Sequence, residues 1–193
     1  MADHALTKET ILDTAEQVLR RFGPEKTSVV DVARALNVSH GTIYRHFPSK
    51  ASLREAVAEK WLHSISLPLE AVFKQECSAS ERLCLWLKTL IHIKHTLVQE
   101  DPELFTMYTT LVEESVDVVN AHIGELISQI IPIIEEGMAN QEFKSADASL
   151  IASGIFMATA RFHHPAHAKE WASPTIDHEF DIVWNLILSG IVK

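Results

Sequence analysis

Between Ile11 and Ile191, apolar residues return every three or four positions, the period of a helix face rather than of a strand. Only six glycines occur in 193 residues, so the chain is predicted to be all-α, with about nine helices. The first is expected from Thr7 to Phe22, with Ile11, Ala15, Val18 and Leu19 on its apolar stripe. Gly23-Pro24 closes it, because glycine accepts a left-handed C′ conformation and proline cannot continue a helix. Ser28, followed three positions on by Asp31, is close to a capping box and opens a second helix that ends near Asn37. Ser39 caps a short third helix, and Pro48 stops it by disfavouring helical geometry at the residue before it. Ser49 caps a fourth that reaches about Ser66. Longer helices are expected over about 80–99, from Asp101-Pro102, over 120–140 with Pro132 inside, over 146–162 and over 173–191. A boundary near residue 60, marked by charge and helix length rather than by a linker, divides 1–60 from 61–193.

The formal net charge of −9 argues against an anionic partner until it is divided by region. Residues 1–60 hold nine Lys/Arg against eight Asp/Glu; residues 61–193 hold eight against eighteen. No acid lies between Asp31 and Glu55, where Arg34, Arg45, Lys50 and Arg54 all fall. A local cationic patch is hidden in an acidic chain.

Within that patch, the third helix can bury only Ile43 and Phe47, four apart. So short a helix is marginal alone and must be held by the helices before and after it. Its remaining residues, Ser39, His40, Gly41, Thr42, Tyr44, Arg45 and His46, lie outside. Arg, His and Thr can bond base edges, Gly41 admits a close backbone approach, and Tyr44 can place a hydroxyl on a phosphate. Lys50 adds charge at a helix start, where backbone amides already favour anions. Two short helices joined by Leu36-Asn37-Val38 make a helix-turn-helix.

The order TSVVDVARALNVSHGTIYRHFPSKASL resembles the N-terminal domain of the TetR family of bacterial transcriptional regulators, over about residues 7–60. VSHGTIYRHFPSK is the most specific part; beyond residue 60 the likeness is confined to features such as IIEEGMANQEF. The resemblance implies a homodimer that grips a palindromic operator in double-stranded DNA with two copies of the third helix. It also implies a C-terminal region where an unidentified small-molecule effector binds and lowers DNA affinity. Carried over, Thr42, Tyr44 and His46 match DNA-contacting positions and Lys50 a phosphate-binding lysine. Thr27 and Ser28 fall where the second helix meets the backbone, and His40 and Arg45 at positions that vary within the family. Val30 stands where some members carry a base-reading arginine.

In the C-terminal part, Trp61, Trp86, Phe105, Met107, Tyr108 and Phe156 are candidate linings of an effector cavity, with ordinary core as the commoner use of each such residue. The last helix is apolar nearly all round, so it must bury both sides, as at a subunit interface. With the small residues Ala152, Gly154 and Ala158 of the preceding helix, Phe180, Trp184, Ile187 and Leu188 are expected in a four-helix bundle across a two-fold axis. Eleven histidines show no diagnostic metal spacing, and no cofactor or metal is expected. Absence of a Gly-rich phosphate loop, G-x-S-x-G or H-E-x-x-H argues against an enzyme. No stretch is long and apolar enough to span a bilayer, and the N-terminus lacks a signal-peptide core, so the expected compartment is cytoplasmic. A helical protein-interaction adaptor that does not bind DNA is the rival reading.

Overall fold

Residues 6–23 and 28–193 are described by a computed structural model, in which every named element is a helix. Thr7 accepts a hydrogen bond from the Thr10 amide and opens α1 (Lys8–Phe22), which Gly23 closes at φ 79° with its amide on the Leu19 carbonyl. Ser28 and Asp31 make the reciprocal capping box of α2 (Val29–Ala35). Asn37, at φ 54°, reverses the chain into α3 (His40–Tyr44), so the third helix is five residues rather than nine and Arg45-His46 form the turn after it. Then follow α4 (Lys50–Ser66), a 3-10 segment over Leu67–Lys74, α5 (Ala79–Glu100), α6 (Pro102–Glu113) and α7 (Val116–Ala139). The last elements are α8 (Ala148–Ala158), α9 (Ala160–His163), a 3-10 turn over Pro165–Glu170 and α10 (Ile176–Ile191).

The chain gathers into two compact units: Met1–Leu62 with Glu103–Val119, and His63–Pro102 with Asn120–Lys193. In the first, Ile11, Ala15, Leu19, Val32, Ile43, Phe47, Leu53 and Val57 form a core closed to solvent. Segment 103–119 brings Tyr108 flat against Trp61, ring centres 4.6 Å apart, with Phe105 edge-on to the same indole. Glu16 bonds the Tyr108 hydroxyl, and burial pushes its pKa far up.

The second unit explains IIEEGMANQEF. Gly137 is buried, and a Cβ there would come within 2.2 Å of the Phe143 ring. Glu136 pairs with Arg82, while both oxygens of Glu142 accept the Ala79 and Ser80 amides at 3.2 Å. A distant carboxylate thus joins the Ser78–Glu81 capping box at the start of α5. The expected helix over 146–162 is broken at Thr159, whose buried hydroxyl bonds back to the Ile155 carbonyl at 2.8 Å, a competitor of the helix ladder. The two 3-10 segments were not foreseen; each has a proline in its first turn.

Candidate nucleic-acid interface

The turn between α2 and α3 is built by backbone bonds from Asn37 to Arg34 and Val38 to Ala33, at 3.1 and 3.0 Å. They orient Ser39, which caps α3 by accepting the Thr42 amide and shares a 2.9 Å hydroxyl contact with Thr42. Ile43 and, just beyond the helix, Phe47 are driven into the core. The opposite face is open: His40, Gly41, Tyr44 and Arg45 are exposed, and Thr42 and His46 are half-buried. His40 and Tyr44, one turn apart, meet edge to face with ring centres 6.3 Å apart.

Of the four cations in the acid-free stretch, the fold engages two. Arg34 pairs with Asp31 at 3.2 Å, and Arg54, mostly covered, meets Glu114 at 2.6 Å. Arg45 and Lys50 project outward, and among the described residues neither has a carboxylate within ion-pair distance. The usable patch is therefore smaller than the sequence count suggests and is centred on α3 and the first turn of α4. Gly41 is not required by the fold, since an added Cβ would meet only Ser39 Oγ at 3.8 Å. Its lack of a side chain keeps that surface flat for something outside the chain. Val30 is exposed beside this face.

Ser28 spends its hydroxyl on the capping box, so it has none spare for a ligand without breaking the cap. Thr27 lies outside the described residues.

Of the two uses open to the candidate lining residues, cavity wall or ordinary core, the structure shows all but Met107 packed as core. Trp61, Phe105 and Tyr108 fill the core of the first unit against one another; Met107 beside them is half-buried. Trp86 and Phe156 are core residues of the second unit, where the Trp86 indole donates to Gln129 at 3.0 Å. Large aromatics serve as readily for core as for cavity, and periodicity cannot separate the uses. A pocket of about 450 Å³ in the second unit is lined instead by His92, His95, Thr96, Phe162, Asp177 and Phe180, among others.

The residues expected at a subunit face divide between core and surface. Ala152, Phe180 and Trp184 turn into the core of the second unit. Gly154 and Ala158 are exposed, and Ile187 and Leu188 partly so. Reasoning from sequence missed Leu150 and Met157 on α8; Ile182 and Leu186 belong to the apolar excess read on the last helix, and Leu150 and Leu186 are each 72% exposed. Leu150, Gly154 and Met157 do follow helical spacing. On a helix apolar on both sides, however, spacing does not say which side faces in.

Comparison with known proteins matches residues 11–57 to the bacterial regulatory proteins of the tetR family, and residues 79–184 to the tetracyclin repressor-like C-terminal domain. An uncharacterized HTH-type transcriptional regulator of Mycobacterium tuberculosis is 26% identical over 105 residues, 54% of this chain and 50% of that one. The alignment thus spans only half of that relative's length. Among solved structures, SmeT, the repressor of a Stenotrophomonas maltophilia multidrug efflux pump, superposes with a TM-score of 0.68 at 17% identity, covering 98% of this chain and 92% of that one. RolR in complex with resorcinol gives 0.63 at 16%, over 95% and 86%. At such identities these two likenesses speak for the fold.

Proposed function

The chain belongs to the TetR family of bacterial regulatory proteins and is a DNA-binding transcriptional regulator; on that premise we propose that it is a homodimeric repressor that a small-molecule effector releases from a palindromic operator. Residues 1–60 serve as the DNA-binding domain and 61–193 as the regulatory and dimerisation domain. Two copies of α3 enter major grooves about 34–36 Å apart, one turn of B-DNA. His40, Thr42 and Arg45 reach base edges; Tyr44, His46 and Lys50 hold phosphates; Ser39 positions Thr42, and Gly41 lets the helix approach closely. Thr27 and Ser28 meet the backbone through the start of α2.

A single observation carries this reading: α3 and the turn after it present His40, Tyr44 and Arg45 to water, where among the described residues no ion pair engages them. The family supplies the groove; these side chains supply the chemistry. Dimerisation takes the uncovered faces of α8 and α10, with Leu150, Met157, Ile182 and Leu186 at their centre. The effector acts through unequal affinity for two spacings of the recognition helices, since equal affinity would shift nothing. No helix among the described residues is long and apolar enough to cross a membrane, and we place the protein in the cytoplasm.

The test is a gel shift on the DNA upstream of the protein's own gene, at two salt concentrations. Binding that weakens steeply with salt is expected. No shift at either would return the chain to the adaptor reading. For the dimer, Leu186→Asp is expected to sediment as a monomer; an intact dimer would move the interface elsewhere.

A further inference from the structure

The cavity of about 450 Å³ in the second unit opens between α5, α9 and the first turns of α10. Its floor is apolar: Ile91, Phe162, Ile176 and Phe180 are buried side chains that line it, and the two phenyl rings meet edge to face at 5.4 Å. Its rim is polar. His92, Thr96 and Gln99 follow one face of α5, and Asp177 stands on the first turn of α10.

The three helices are tied together around this space. Lys88 of α5 pairs with Asp181 of α10 at 3.1 Å. His95 of α5 donates from Nε2 to the Phe162 carbonyl at 2.9 Å and stacks on Trp171, ring centres 4.6 Å apart. Arg161 and Glu179, the chain neighbours of the two phenylalanines, meet at 2.8 Å and join α9 to α10. The walls are thus fixed by bonds that need no occupant, as in a pre-formed ligand site.

Charge decides what such a cavity accepts. Two full charges line it, those of Lys88 and Asp177. Asp181 cancels the first, which lies over the Phe180 ring at 5.5 Å. The second is unanswered: among the described residues, no cationic side chain stands within ion-pair distance of Asp177. Burial holds the His95 pKa below the ordinary imidazole range, so that ring is neutral near pH 7. An organic anion would face Asp177 and find Lys88 already taken. A metal ion needs several converging ligands, and among the described residues no group of three His, Cys, Asp or Glu is placed to hold one. A wholly apolar body would strip water from Asp177 and return nothing. An ammonium on an apolar or aromatic body answers both the carboxylate and the phenyl floor, where Lys88 already rests one ammonium on Phe180.

We propose that this cavity is the effector site and that the effector is an organic monocation, its ammonium bonded to Asp177 and its apolar body lying on Phe162 and Phe180. The proposal rests on the effector-release reading above and adds to it the site and the ligand's chemical class. Because α10 also carries Ile182 and Leu186, an occupant bears on the helix through which the two copies are proposed to meet.

Calorimetry and thermal melting of the full-length protein test it, at pH 7 and matched ionic strength. The probes are butyl-, hexyl-, benzyl- and phenethylammonium, each against the alcohol of the same carbon skeleton. At least one ammonium is expected to bind, with its alcohol roughly 10-fold weaker, the worth of one charged hydrogen bond. Asp177→Asn should erase that difference with little change in the melting temperature of the free protein, since the side chain is exposed. The ammonium–alcohol comparison on the unaltered chain stands even if the variant misfolds. Equal binding of ammonium and alcohol overturns the proposal, as does ammonium binding retained by Asp177→Asn. So does the failure of every ammonium to bind the unaltered chain. Adding the bound ammonium to the gel shift separates the two readings. An ammonium that binds at Asp177 without loosening DNA leaves the cation site standing and removes its role as effector site. Release by a compound to which Asp177→Asn responds like the unaltered chain keeps the release model and overturns this site.

Discussion

On α3 and in the turn after it, Tyr44 and Arg45 stand in water; on α7, both ring nitrogens of His122 are unbonded and sealed from it. The first set costs the fold almost nothing, because solvent satisfies every donor. The second set is a standing charge on stability, because nothing replaces the water that was lost. Unmade bonds at a surface say little alone and gain meaning from the motif around them. In a core they speak for themselves. Two regions of one chain thus differ in what an unmade bond costs them, little in water and more in the core.

The largest expected effect removes the support beneath the exposed set. Ile43→Ala should destabilise the first unit by about 3 kcal/mol, read by denaturant unfolding, and abolish DNA binding with it. If binding survived that loss, α3 would not be the reader. A comparable effect of opposite sign is expected in the core: Lys94→Met should raise stability at pH 7 by about 3 kcal/mol, the value of a pKa held near 8 against 10.5. The sign follows from the depressed folded-state pKa. The penalty is fully present below pH 8 and fades as pH rises from 8 toward 10.5. Unfolding curves of the two proteins should therefore converge over that window, and parallel curves would show that Lys94 is already compensated.

On the acid side, His122 and His163 stay neutral in the folded state after their unfolded counterparts take protons. Stability should fall as pH drops from about 6.5 toward 4, and His122→Phe should flatten that fall. An unchanged acid limb in the variant would mean that His122 is not the group involved. Smaller again, Tyr44→Ala or Lys50→Ala should weaken operator binding by about 1–2 kcal/mol at unchanged melting temperature, and loss of Lys50 should reduce the salt slope. The smallest effect is the most discriminating. Gly41→Ala should stabilise α3 by about 0.5–1 kcal/mol while reducing DNA affinity, since the added methyl meets only Ser39 Oγ, at an ordinary contact distance of 3.8 Å. A gain in both would show that nothing approaches that surface.

Much of the first unit was legible in the residues. Ser28 and Asp31 form their reciprocal cap, Asn37 takes positive φ, and Ile43 and Phe47 are the pair that turns inward. Each depends on neighbours within four positions, where spacing and local chemistry decide. The phase of α8 and α10 was not legible in the same way. Ala152 and Trp184 face inward while Leu150 and Leu186 face out, yet both faces are apolar enough for either role. Nor did the sequence distinguish Arg45 and Lys50, which project freely, from Arg54, which Glu114 holds from 60 positions away.

Taken alone, the sequence determined that this chain is helical, where α1, α2 and α4 begin, and which short segment turns its polar side chains outward. Capping, periodicity and proline stops are local, and their energies do not wait for distant contacts. Only the tertiary structure decided that Glu142 closes the start of α5, that Gly137 must stay bare for Phe143, and that Lys94 is buried on α5. Those facts arise where residues far apart in the chain are brought together and water is shut out, so solvation there is a property of the whole packing and of no segment within it.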